Sequence, residues 1–117
     1  MLDVGASVLP SIATRTPWYC AGCPHNSSTK LPDGEVVGMG IGCHSISGFL
    51  TPDEITNFTQ MGGEGAFWIG RSPFSKHNHS FQNIGDGTYA HSGYLGIRAA
   101  VASGVNLTFK ILYNGAV

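Results

Sequence analysis

The chain has 117 residues, enough for one domain or part of one. Its formal net charge of −1 gives no electrostatic case for nucleic acid. Only 11% of residues are charged, against roughly 25% in an ordinary soluble chain, yet no apolar run approaches the ~20 residues that span a bilayer.

The start, Met1-Leu2-Asp3-Val4-Gly5, lacks the basic and apolar regions of a secretory signal. Residues 1–16 are weakly patterned and read as a linker or the tail of an upstream domain. Residues 17–34 are irregular, with a Cys20-Ala21-Gly22-Cys23 and a Pro32-Asp33-Gly34 turn signal. Without a secretory context, three cysteines suggest metal or redox chemistry before a disulfide scaffold, and a cytoplasmic protein. Residues 35–39 read as a short buried strand ending in the glycine loop Gly40-Ile41-Gly42-Cys43-His44. Residues 45–50 suit a helical turn, and residues 51–54 a helix start or a loop. Residues 57–61 alternate like a strand and lead into Gly62-Gly63-Glu64-Gly65. Residues 66–70 look helical, and residues 71–79 form a polar loop.

Residues 80–84 are the next strand. Over residues 88–103 the apolar Ala90, Tyr94, Ile97 and Val101 fall at helical spacing, and Gly104 is the expected C-cap. Leu107, Phe109, Ile111 and Tyr113 then alternate as a strand. Strand, glycine loop, helix, strand is the order of βαβ units, so the expected fold is α/β with a parallel sheet. Such sheets bind ligands beyond the carboxyl ends of their strands, and the loops after Met39, Met61 and Ile84 all fall at that edge.

Gly85-Asp86-Gly87 carries the most chemistry. A lone Gly-Asp-Gly is usually only a turn. Here it lies between a strand and a helix, and Asn114 follows 28 residues after Asp86, the length of one helix plus one strand. Gly85 and Gly87 admit a phosphate oxygen close to the backbone. Asp86 offers a hard oxygen for Mg²⁺, Asn114 a neutral one, and the helix start free N–H groups. Cys20, Cys23 and Cys43 supply three thiolates for zinc or an iron–sulfur cluster, with His25 or His44 as a possible fourth ligand. A small cysteine-based metal module is therefore a second reading, and a Cys43 that is simply a small loop residue a third. Glu64 suits a contact to a cofactor or a neighbouring subunit, or simply a solvated loop. His77, His79 and His91 are more often ordinary residues than catalysts, with His91 placed to face a ligand. Trp18, Tyr19, Phe67 and Trp68 read as core or interface.

Gly85-Asp86-Gly87 with Asn114 resembles the thiamine-diphosphate motif. Longer strings resemble the indolepyruvate:ferredoxin oxidoreductases within that superfamily: Cys20-Ala21-Gly22-Cys23-Pro24-His25-Asn26, Gly40-Ile41-Gly42-Cys43-His44, Gln60-Met61-Gly62-Gly63-Glu64-Gly65-Ala66 and Phe81-Gln82-Asn83-Ile84-Gly85-Asp86-Gly87-Thr88-Tyr89. The likeness runs from about Pro17 to Val117. It implies the three-layer thiamine-diphosphate-binding fold over residues 17–117, incomplete at its C-terminus, in a fragment expected to be inactive alone. It further implies oxidative decarboxylation of an aryl 2-oxoacid, with coenzyme A taking the acyl group and ferredoxin the electrons. Carried over by position, Asp86, Asn114 and the Ala116 carbonyl hold Mg²⁺. Gly85, Gly87 and Thr88 border the diphosphate, and Gly42, Cys43, His44 and Glu64 contact the cofactor. Cys20, Cys23 and Cys43 become candidates for a [4Fe–4S] cluster. The activating glutamate is expected on another domain, and the intact enzyme is expected to be an oligomer. Gly115 stands where that branch is expected to have an aspartate.

Overall fold

A computed structural model describes residues 14–115, so most of the expected linker, residues 1–13, lies outside the described residues. Four strands form one sheet: β1 (Val37–Met39), β2 (Ile55–Phe58), β3 (Ser80–Gly85) and β4 (Leu107–Leu112). Their order is β2-β1-β3-β4 and every pairing is parallel. The expected α/β class with a parallel sheet is what the chain adopts. β1 is buried along its whole length, as a central parallel strand should be.

The helical segments are α1 (His25–Ser28), α2 (Ser47–Leu50), α3 (Ala66–Arg71), α4 (Asp86–Thr88) and α5 (Tyr94–Ser103). A π-helical turn, Tyr89–Gly93, joins α4 to α5 into one run. Short 3-10 turns cover Cys43–Ile46, Pro52–Glu54 and Ser72–Phe74. α3 packs on α5. Gln82 and Ile84 of β3 face them: the Gly65 N–H donates to Gln82 Oε1 at 3.0 Å, and a Cβ on Gly93 would lie 2.3 Å from Ile84 Cδ1. Gly38 shares that face beside Gln82, so Met39 turns to the other, where its sulfur accepts the Ser47 hydroxyl of α2 at 2.8 Å. Helical segments thus cover both faces of the sheet. Val37, Met39, Ile84, Trp68, Ala100 and Leu112 are buried between them. No helix among the described residues is long and apolar enough to cross a membrane.

Several expectations shift. β2 starts at Ile55, two residues before the expected strand, because its ladder is set by β1. Ile55 pairs with Val37 and Phe58 with Met39, and β1 ends there. The helix after β3 starts at Asp86 rather than Thr88 and ends as expected, with Gly104 left-handed at φ 68°. Its buried face is not the expected Ala90, Tyr94, Ile97, Val101 stripe. Val101 is 78% exposed and Tyr94 43%, while Gly93, Gly96 and Ala100 are buried. The helix lies so close to the loop after β2 that a Cβ on Gly96 would sit 2.4 Å from the Glu64 carbonyl oxygen. Only the smallest residues fit that approach, so large apolar residues are turned outward. α1 falls where the sequence looked irregular. Of the aromatics, Tyr19 and Trp68 are buried, whereas Trp18 and Phe67 are exposed; the Trp68 indole N–H donates to the Asn106 carbonyl at 3.0 Å.

Candidate functional site

From β1 the chain moves one way across the sheet to β2, then returns past β1 to β3. Ligands of open α/β sheets bind at such a reversal, beyond the carboxyl ends of the strands. A cleft of about 230 Å³ lies there. Gly85, Asp86, Gly87 and Thr88 form one wall, Gly42, Cys43 and His44 another, and Asn114 closes it from the end of β4. His25 also lines it, as do the apolar Ile41, Met61 and Leu112. Of the candidate site residues, Glu64, Cys20 and Cys23 do not line this cleft, and Ala116 lies outside the described residues. A larger cavity of about 340 Å³ lies beside Trp18, Lys30 and Glu54. It contains none of the residues proposed to bind cofactor or metal.

Asp86 is the anchor of the cleft. The Gly87 N–H donates to its Oδ1 at 3.0 Å. The Gly115 N–H donates to its Oδ2 at 3.1 Å. One carboxylate thus ties the turn after β3 to the chain leaving β4. Gly115 has φ 67°, a left-handed conformation that a side chain strains, and this bend follows Asn114. Gly85-Asp86-Gly87 and Asn114 line the same cleft, and Gly115 is part of the tie. Ala116, the expected third ligand, lies outside the described residues.

His44 is 1% exposed. Burial, with neighbouring His25 adding to it, pushes its pKa down to about 4. The Gly40 N–H donates to His44 Nε2 at 3.2 Å, a bond only an unprotonated nitrogen accepts. At neutral pH the ring is therefore uncharged, with its proton on Nδ1. Tyr19 reaches the same turn through its hydroxyl, which donates to the His44 carbonyl at 3.4 Å.

The remaining candidates sort by place. Glu64 is fully buried and is not among the cleft-lining residues, which overturns the solvated-loop expectation. Its Oε2 accepts the Gly62 N–H at 2.6 Å, while Oε1 has no partner and lies against Gly40. Among the described residues no group of three or more His, Cys, Asp or Glu is placed to hold a metal. Cys20 and Cys43 are exposed, Cys23 half-buried, and all three are free thiols. The Cys20–Cys23 turn is instead stapled by Asn26, whose amide donates to the Cys20 and Cys23 carbonyls at 2.9 and 3.1 Å. His79 contacts Glu35 and Thr108 beside the opposite end of β3. His77 and His91 are exposed, and neither lines the cleft. His25, Ile41, Met61 and Leu112 are the cleft residues that sequence reasoning did not assign to it. No family model, curated protein or solved structure matches the chain.

Proposed function

We propose that this chain holds the diphosphate and Mg²⁺ of thiamine diphosphate within a 2-oxoacid:ferredoxin oxidoreductase, on the three-layer fold of that superfamily. The observation that carries the reading is the double tether of Asp86 to Gly87 and Gly115. An ionised carboxylate offers about four lone-pair positions. The two amides take two of them and leave oxygen lone pairs of the kind Mg²⁺ accepts. Asn114 adds a neutral oxygen from the same end of the cleft. Gly85, Gly87 and Thr88 border the diphosphate, where the helical run begins. His44, kept uncharged by burial, sets no competing cation opposite the metal. Ile41, Met61 and Leu112 give the mouth an apolar lining, which limits water around the anchored cofactor.

When bound, thiamine diphosphate supplies the electron sink that lets a 2-oxoacid lose carbon dioxide. The chain's own residues bind and orient. In the overall reaction, an aryl 2-oxoacid such as indolepyruvate and coenzyme A give acyl-coenzyme A, carbon dioxide, a proton and two electrons for ferredoxin. The activating glutamate is assigned to a partner domain. Cys43 borders the cofactor in this reading, and no cluster is assigned to Cys20, Cys23 and Cys43, which the described residues do not gather.

Titration calorimetry with thiamine diphosphate, with and without Mg²⁺, tests the assignment. Binding is expected to tighten with Mg²⁺ and to weaken about tenfold or more in Asp86→Ala and in Asn114→Ala. Affinity unchanged in both variants would refute it.

A further inference from the structure

His25 is 2% exposed, and neither of its ring nitrogens makes a hydrogen bond among the described residues. Nδ1 is fully buried without a partner. Native proteins rarely leave a buried polar atom unpaired, because its lost hydration is not replaced. His25 is among the residues lining the cleft that holds Asp86, Gly87 and Asn114.

Its position is fixed from several sides. His25 opens α1 directly after the Asn26-stapled turn. The Thr29 hydroxyl donates to its carbonyl at 2.6 Å. Tyr19 meets its ring edge-on, with centroids 5.8 Å apart. A group immobilised this way has already lost its rotamer freedom, so a ligand that bonds it meets little further ordering cost.

We infer that His25 is an anion-positioning residue, donating a ring N–H to a phosphate oxygen of the ligand in this cleft. An imidazole carries at least one ring N–H in either protonation state, so a donor is always available. An acceptor oxygen is the matching chemistry, because the neighbouring Asp86 carboxylate already attracts the cation. The inference rests on the phosphate-and-magnesium reading of the cleft, but it assigns the anion and the cation to different side chains.

The test uses the full 117-residue chain and inorganic pyrophosphate as probe, with and without Mg²⁺. Affinity is measured by calorimetry, and the histidine ring nitrogens are followed by ¹⁵N NMR. The His25 ring resonances are expected to move with pyrophosphate and to stay put with Mg²⁺ alone. His25→Phe keeps the ring volume and removes the nitrogens. It is expected to melt no lower than wild type without ligand and to bind pyrophosphate about ten- to a hundredfold more weakly, with or without Mg²⁺. Asp86→Asn is expected to lose only the Mg²⁺-dependent part. If His25→Phe binds like wild type, or the His25 signals do not move, the role of His25 is overturned while the cleft reading stands. If Mg²⁺ does not tighten pyrophosphate binding while His25 still moves, the role of His25 stands and the magnesium reading falls. If wild type does not bind pyrophosphate at all, both fall. The wild-type NMR titration decides the matter even if His25→Phe does not fold.

Discussion

The approach of the long helix to the loop after β2 makes a prediction with a sign opposite to the usual one. Replacing an interior helical glycine by alanine ordinarily stabilises by up to about 1 kcal/mol. At Gly96 the new Cβ would lie 2.4 Å from the Glu64 carbonyl oxygen, with the Gly62 carbonyl oxygen at 3.7 Å. The first contact is with backbone and cannot be relieved by a rotamer change. Either α5 or the loop has to move by roughly 1 Å, and such overpacking costs about 1–3 kcal/mol. Gly96→Ala is therefore expected to destabilise by about 1–2 kcal/mol. Gly70 in α3 is the internal control: its Cβ would meet nothing within 4 Å, so Gly70→Ala is expected to stabilise by about 0.5–1 kcal/mol. The two variants should differ by about 2 kcal/mol. At about 4–8 °C per kcal/mol for a domain of this size, that is roughly 10 °C in Tm. Thermal melts paired with urea titrations, read at unchanged m-value, measure the difference. A Gly96→Ala protein that melts at or above Gly70→Ala would show that the helix is not held at this distance.

Two further outcomes follow from buried titratable side chains. His44 has a pKa of about 4 in the folded chain against 6.5 when unfolded. Below pH 6.5 the unfolded chain takes up a proton that the folded ring refuses, so the stability from this group is whole above pH 6.5. It is lost as pH falls to about 4, and amounts to about 3 kcal/mol. Denaturation from pH 7.5 to 4 should show that fall in wild type and a flatter profile in His44→Gln; parallel profiles would contradict the buried neutral ring. Glu64→Gln keeps an oxygen for the Gly62 N–H and removes a buried carboxylate oxygen that has no partner. It is expected to change stability by less than about 1 kcal/mol or to raise it, whereas Glu64→Ala should cost about 2–4 kcal/mol through a void and an unbonded amide. Equal losses in the two variants, measured in urea, would mean that the charge itself is needed.

The sheet was legible because short strand-like runs alternate with glycine loops and helical stretches, a pattern with few alternatives to βαβ units. What stayed hidden were features set by a neighbour. The start of β2 follows from where β1 can offer a partner, with Ile55 opposite Val37, and side-chain alternation cannot report that. The buried face of α5 was misread because periodicity ranks apolar residues by size, whereas close packing against the Glu64 loop selects Gly93, Gly96 and Ala100. The π-helical turn at Tyr89–Gly93 also rotates the face of α5 relative to a regular helix. α1 was missed because four residues, His25-Asn26-Ser27-Ser28, are too short to show a helical period.

The candidate site divides along the same line. Asp86 and Asn114 were readable because one helix and one strand separate them, and a parallel sheet brings successive strand ends to one edge. His25 was not, since it comes from outside that unit and its place depends on tertiary packing, Tyr19 against its ring and against the Cys43–Ile46 turn included. Gly115 departs from the motif of the resembled family. An aspartate missing after Asn114 suggests a looser loop. Yet it is the Gly115 N–H that reaches Asp86 Oδ2, at a φ of 67° that glycine adopts without strain. The residue that looked like a loss supplies the amide that joins the two halves of the site. The contact seen at this position is made by its backbone and not by the side chain that the resembled family is expected to have.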